Sequence, residues 1–275
     1  MDSSKLMYIA ISAVCVISII SAVFIQFDLK IGTSKEQKES NGTTIEEKTQ
    51  EELKKDFANL FNNVVDFNDY DTSKIKKIND TKEIVYTVYE SQATEENKYE
   101  LDVHIPVINI NGDVVTGFNN VTQKLFANKT TEILEGVKNY TIYSIDYTGF
   151  INNDILSVII RSTLKEGSNA QRTIVETYNY NLVTEKEVSI YDALEQREKT
   201  TNDLTAKINT EITQAIKEAN KIQLTGFETY RRDINSDVYQ IENISTFFIG
   251  PDEKLYVVFA YGNNNFTSEM DIIII

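Results

Sequence analysis

His104 and Cys15 are the only imidazole and the only thiol in these 275 residues. A hydroxyl or thiol nucleophile needs a general base beside it, and His104 is the one imidazole available. Asp102 stands two residues earlier, a spacing that puts both side chains on one face of a strand. Such a pair orients a proton carrier, yet no serine stands in a nucleophile-elbow context to complete a triad. His104 therefore reads as a surface imidazole near a carboxylate. Zinc would need three or four ligands drawn from that one histidine and scattered acids. Asp66-x-x-Asp69-x-Asp71 suggests a calcium loop but lacks its glycine and distal glutamate, so it reads as solvated linker. Gly149, Gly167, Gly226 and Gly262 are isolated, each a turn or bulge rather than a phosphate cradle. The 42 acidic residues would always supply a carboxylate pair for glycoside cleavage, but nothing singles out two of them. The expectation is a non-enzyme with no catalytic, cofactor-binding or metal residues, no cofactor, and ligand-binding residues unassigned.

Aromatic side chains offer a different chemistry. Fifteen Tyr and 13 Phe, with no Trp, crowd the strand-like segments at Tyr140, Tyr143, Tyr147, Tyr178, Tyr180, Tyr256 and Tyr261. They read either as a binding face for sugar rings or a protein, or as sheet propensity plus core.

The elements that carry these residues begin with an apolar run. Residues 6–27, Leu6 to Phe27, contain no charged side chain, and as a helix they would extend about 33 Å, enough to cross a bilayer core of about 30 Å. Ser12, Ser18, Ser21 and Gln26 are tolerable within it. The short flank 1–5 reads as cytoplasmic, with the long C-terminal part outside the cell membrane. A cleaved signal peptide is the main rival, but Val23-Phe24-Ile25 carries the run past the small pair Ser21-Ala22. A lipidated Cys15 would follow Val14, an unsuitable neighbour, so Cys15 reads as part of the span.

Residues 28–81 read as a polar linker with an amphipathic helix, a stalk or else packed on the domain, that presents Leu53, Phe57, Leu60, Phe61 and Val64. The folded domain is placed at 82–275. Strands are expected at 84–90 and 99–108, the second alternating Leu101, Val103, Ile105, Val107 against Asp102, His104, Pro106, Ile108. Pro106 cannot donate to a ladder and marks an edge or a bulge. A helix to about Glu135 follows Asn111-Gly112-Asp113, then a meander of strands at 140–150, 155–164 and 172–182. Next come a short helical piece at 191–194, a long helix capped near Asn202, two strands at 244–249 and 255–261, and an apolar tail, 270–275, suited to one more. The fold class is α+β, a mostly antiparallel sheet with two packed helices, after one transmembrane helix and a polar stalk.

One passage resembles a known family. The run Asn181-Leu182-Val183-Thr184-Glu185-Lys186-Glu187-Val188-Ser189-Ile190-Tyr191-Asp192-Ala193-Leu194 is similar to the pattern N-F-D-L-x-T-G-K-x-L-x-L-x-D-L-F. That pattern belongs to the PdaC/RsiV-like extracytoplasmic domain, shared by a lysozyme-sensing anti-sigma factor and the non-catalytic part of a peptidoglycan deacetylase. The segment His104-Ile105-Pro106-Val107-Ile108 and the element order over about 84–275 also fit it. The family often has Gly-Gly-Ala-His between meander strands where this chain has Gly167-Ser168-Asn169-Ala170, so a ligand role for that histidine does not carry over. The resemblance thus implies the outside module alone, on an anchor, as the expectation for these residues.

Net charge is −15, and residues 1–30 cancel (Asp2 and Asp28 against Lys5 and Lys30), so the acid excess lies on the external part. Such a surface serves solubility, repels nucleic acid and attracts cationic partners. No cysteine follows Cys15, so core burial alone must hold the domain. The expected function is a membrane-anchored extracytoplasmic binding or sensing module of the bacterial envelope. Its expected partners are membrane lipid through the anchor and a cationic wall-active protein (a muramidase) or peptidoglycan, not nucleic acid. The alternatives are a wall hydrolase or deacetylase-like enzyme working through carboxylates, and a structural partner of another membrane protein.

Overall fold

The computed structural model of the protein describes residues 48–221, 232–260 and 270–275. The expected span at 6–27, its tether, Tyr261, Gly226 and Gly262 lie outside the described residues. Among the described residues no helix is long and apolar enough to cross a membrane.

The domain is mixed α+β. A seven-stranded sheet runs in the order β2-β3-β4-β5-β6-β7, with β1 also beside β4. β1 is Val65–Asp66, β2 Val85–Glu95, β3 Tyr99–Ile108, β4 Thr141–Asn152, β5 Ile155–Glu166, β6 Arg172–Asn181 and β7 Lys186–Glu187. A three-stranded antiparallel sheet holds β8 (Phe247–Ile249), β9 (Leu255–Ala260) and β10 (Met270–Ile274), with β9 central. The meander β4-β5-β6 is antiparallel as expected, but β3 and β4 run parallel. The 32-residue stretch between them (109–140) satisfies that geometry, because a parallel pair needs a crossover and a helix supplies it.

That crossover is α2 (Asp113–Thr122), a π-helical turn at Gln123–Ala127, and α3 (Asn128–Glu135). Its apolar face, Val115, Phe118, Phe126 and Ile133, is buried against Leu101, Val103, Tyr143, Ile145, Leu156, Val158, Tyr178 and Tyr180 of the large sheet. The opposite face of that sheet, through Phe150, Ile159 and Val175, packs on Phe248, Val258 and Ile272 of the small sheet. Beyond the small sheet lie α4 (Ile190–Glu195) and α5 (Thr201–Ala219), which bury Ala193, Leu194, Leu204, Ile208 and Ile212 against Phe247, Leu255, Val257 and Ile273. Period two on the strands and 3.6 on the helices thus yield helix, sheet, sheet and helix in four layers.

Three expectations change. Of the two readings of helix α1 (Gln50–Ala58) the packed one holds, which moves the start of the domain: Leu53 and Phe57 enter the core between the two sheets. Gln50 is 5 % exposed, and its amide accepts from Ile272 N–H at 2.8 Å and donates to Ile272 C=O at 3.0 Å. One side chain thus completes the β10 edge as a neighbouring strand would. The chain from 59 to 81 is also bound: β1 pairs with Gly149 and Phe150, and Asn63 exchanges bonds with Tyr147. The domain therefore starts well before residue 82. Second, α5 is capped by Thr200, not Asn202, in a reciprocal capping box with Asp203. Third, Gly149 is neither turn nor bulge but mid-strand, where a Cβ would lie 2.8 Å from Ser157 O and 3.0 Å from Val65, so β1 can approach only a glycine. Pro106 meets both of its expected conditions. The β2–β3 register shifts opposite it, between Thr87 and Tyr89, and β3 pairs with β4 only over Tyr99–Val103.

Candidate binding groove

His104 and Asp102 do share a face, with Nε2 to Oδ1 at 3.4 Å, while Glu90 lies 3.9 Å from Nδ1. His104 is half-buried, the two carboxylates are exposed, and Asp102 also accepts from Gln92 at 3.1 Å. Asp66 and Asp71 each accept a backbone N–H two residues on, from Asn68 and Ser73, and so organise turns. Hydrogen bonds from Ser73 hold the Asp71 carboxyl below the usual range. The strand tyrosines divide: Tyr143, Tyr147, Tyr178 and Tyr180 are buried, whereas Tyr140 is exposed. Burial pushes Tyr143 up to about 12, with a lesser opposing effect from its Ser162 partner. These phenols are core, with hydroxyls matched inside it: Tyr147 with Thr87 and Tyr178 with Thr122, both at 3.0 Å. Of the sequence-selected candidates, Tyr178 alone reaches the groove described below, through its ring.

The passage that carried the family resemblance builds the corner where a groove does form. Asn181 Oδ1 accepts from Val183 and Thr184 N–H at 3.0 and 2.7 Å, closing the turn after β6. Glu185 takes φ +58°, at the position where the pattern Thr-Gly-Lys has glycine. Lys186–Glu187 then pair back on β6 as β7, and Ser189 caps α4 in a capping box with Asp192. Hydrogen bonds from Ser189 lower the Asp192 carboxyl.

Between this corner, α2 and the segment leading into β8 lies an open groove of about 810 Å³. Its floor is apolar: Phe118 stacks on Tyr178 with ring centroids 4.7 Å apart, beside Val121, Ile190, Ile241 and Phe247. Its rim carries Asp113, Glu176, Glu187 and Glu242, and among the described residues no lysine or arginine lines it. Several acids elsewhere on the sheets are paired with cations: Glu166 with Lys129 and Arg172, Asp146 with Arg161, and buried Asp271 with Arg232. Among the described residues the four groove carboxylates form no ion pair or side-chain hydrogen bond. Burial pushes the Glu176 carboxyl up, and no cation beside it offsets that cost. The four are too dispersed to make a metal cage; no group of three or more His, Cys, Asp or Glu among the described residues is placed to hold an ion. A flanking polycation fits this pattern better than a point charge. Sequence reasoning missed the groove because its successive acids are 11 to 63 positions apart in the chain, with only the corner motif as a signal.

No family model matches the chain, and no curated protein matches it. Solved structures similar to it include a DUF3298 family protein from Pseudomonas aeruginosa PAO1, with 10 % identity and a TM-score of 0.42 over 70 % of this chain and 86 % of that one. A DUF3298 family member from Bacteroides fragilis NCTC 9343 matches with 10 % identity and a TM-score of 0.35 over 64 % of this chain and 80 % of that one.

Proposed function

We propose that the chain is a membrane-anchored, extracytoplasmic binding or sensing module of the PdaC/RsiV-like kind, with a wall-related ligand. A cationic muramidase suits it better than peptidoglycan. The observation that carries this reading is the groove: an apolar floor rimmed by Asp113, Glu176, Glu187 and Glu242, with no basic residue in its lining among the described residues. A partly buried Glu176 carboxylate beside three exposed acids favours a ligand that brings its own positive charge. The net charge of −15 works in the same direction at long range, by raising the encounter rate of basic proteins.

The deciding measurement is calorimetric titration of the full chain, held in detergent, with lysozyme and separately with purified wall. Saturable lysozyme binding that persists at physiological salt, and weakens in Glu176→Gln, supports the reading. Binding that vanishes with salt, or that ignores the substitution, leaves only an acidic surface meeting a basic protein. A carboxylate-based wall hydrolase is the second reading, favoured only by the raised Glu176 carboxyl, which would suit a general acid. It requires muropeptide release that is lost in Glu176→Gln; no release from several wall types removes it.

A further inference from the structure

β6 has a free side. Val188 N–H donates to Asn179 C=O at 2.9 Å, which shows that the backbone groups of Asn179 point away from β5. In an antiparallel strand that direction recurs every second residue, so the N–H and C=O of Thr177, Val175 and Thr173 point outward too. β7 covers only Tyr180 and Asn181, and no other described strand pairs along this edge. An edge of this kind is a template for another strand. Here it opens into the groove, since Glu176, Thr177 and Tyr178 are part of the lining.

We propose that this edge receives an extended, basic segment of a partner polypeptide, which adds a strand beside Thr173–Thr177. The proposal rests on the binding-module reading and names how that partner is held. Charge selects the occupant. A second copy of this chain pairing edge to edge would bring Glu176 against Glu176 beneath the same acidic rim, so self-association is repelled. An incoming strand with basic residues at alternate positions meets the opposite situation. Glu176 and Glu187 sit on the helix-facing side of the sheet, Glu187 directly opposite Tyr180, and Asp113 at the start of α2 overlooks them. The side chains of that strand aimed toward α2 would therefore be lysine or arginine. Their stems would lie on Val121 and Phe118, and backbone pairing would supply the rest of the affinity.

The test uses the full chain in detergent and a synthetic peptide of about nine residues, long enough to cover this edge at about 3.4 Å per residue. Lysine alternates with valine and threonine in the probe. A second peptide has glutamate for lysine, and a third keeps every lysine but is N-methylated on the amides that would face β6. We expect the lysine peptide to bind and to slow amide exchange at Thr173 and Val175. The N-methylated peptide should bind at least about tenfold more weakly, and the glutamate peptide should not bind. Thr173→Pro removes an outward N–H while leaving the β5 ladder intact, and should reproduce the loss in the protein. Equal binding of the N-methylated peptide, or binding without exchange protection at the edge, overturns the proposal. Lysozyme binding unaffected by Thr173→Pro and by excess peptide would overturn it while leaving the module reading intact. Peptide binding without lysozyme or wall binding would uphold the edge and remove the wall-related ligand.

Discussion

Glu185 shows how a single position connects sequence pattern to backbone. Its φ of +58° is a conformation that costs a non-glycine residue about 1 kcal/mol or more, and the family pattern has glycine there. Glu185→Gly should therefore be neutral or stabilising by up to about 1 kcal/mol, despite the added freedom of the unfolded chain, with Glu185→Ala unchanged; urea melts of the two variants check this. Glu176 gives a prediction with a pH signature. Its folded-state carboxyl is raised by burial above the ordinary 4.5, so the charged form costs stability at neutral pH and the cost disappears as pH falls below that value. Glu176→Gln should thus raise the melting temperature at pH 7, and the difference should shrink to nothing near pH 4. A gain constant across pH would mean that packing, not desolvation of charge, is responsible. At this scale the sequence displayed chemistry only as types and spacings. The Asp102–His104 pair was legible because two positions on a strand define a face. Glu176 was not, because its importance comes from groups brought beside it by α2 and the β8 approach.

Among the elements, those with a strong period were readable and those defined by a distant partner were not. β3, with its alternation, appears at its expected bounds, and α5 follows from its apolar stripe. Helix α1 was visible as a helix, but nothing local in Gln50 indicates that it would complete β10, 222 positions away. The parallel pairing of β3 with β4 was implied by the long helical connection yet obscured by the hairpins around it. Since Phe57 is 2 % exposed between the sheets, Phe57→Ala should cost about 3–5 kcal/mol. Gln50→Ala should cost about 1–3 kcal/mol by stranding the Ile272 backbone groups. A free stalk would tolerate both. Chemical denaturation separates the two outcomes.

For the molecule as a whole, two features act on different rate constants. The charge of −15 acts at a distance, so it governs how often a basic partner arrives. The Debye length falls to about 8 Å at physiological ionic strength, and most of that steering is then screened. The groove acts at contact, where Glu176 is partly desolvated and the β6 edge has backbone groups to share, so it governs how long a partner stays. Stopped-flow association with lysozyme or with the basic peptide should therefore show an association rate that falls about tenfold or more from low to physiological salt, with a dissociation rate that changes much less. Removing surface acids far from the groove, such as Glu51 and Glu96, should lower the association rate alone. Glu176→Gln should chiefly raise the dissociation rate. If instead salt and every acid-to-amide change alter only association, attraction by the whole surface accounts for binding and the groove has no ligand of its own.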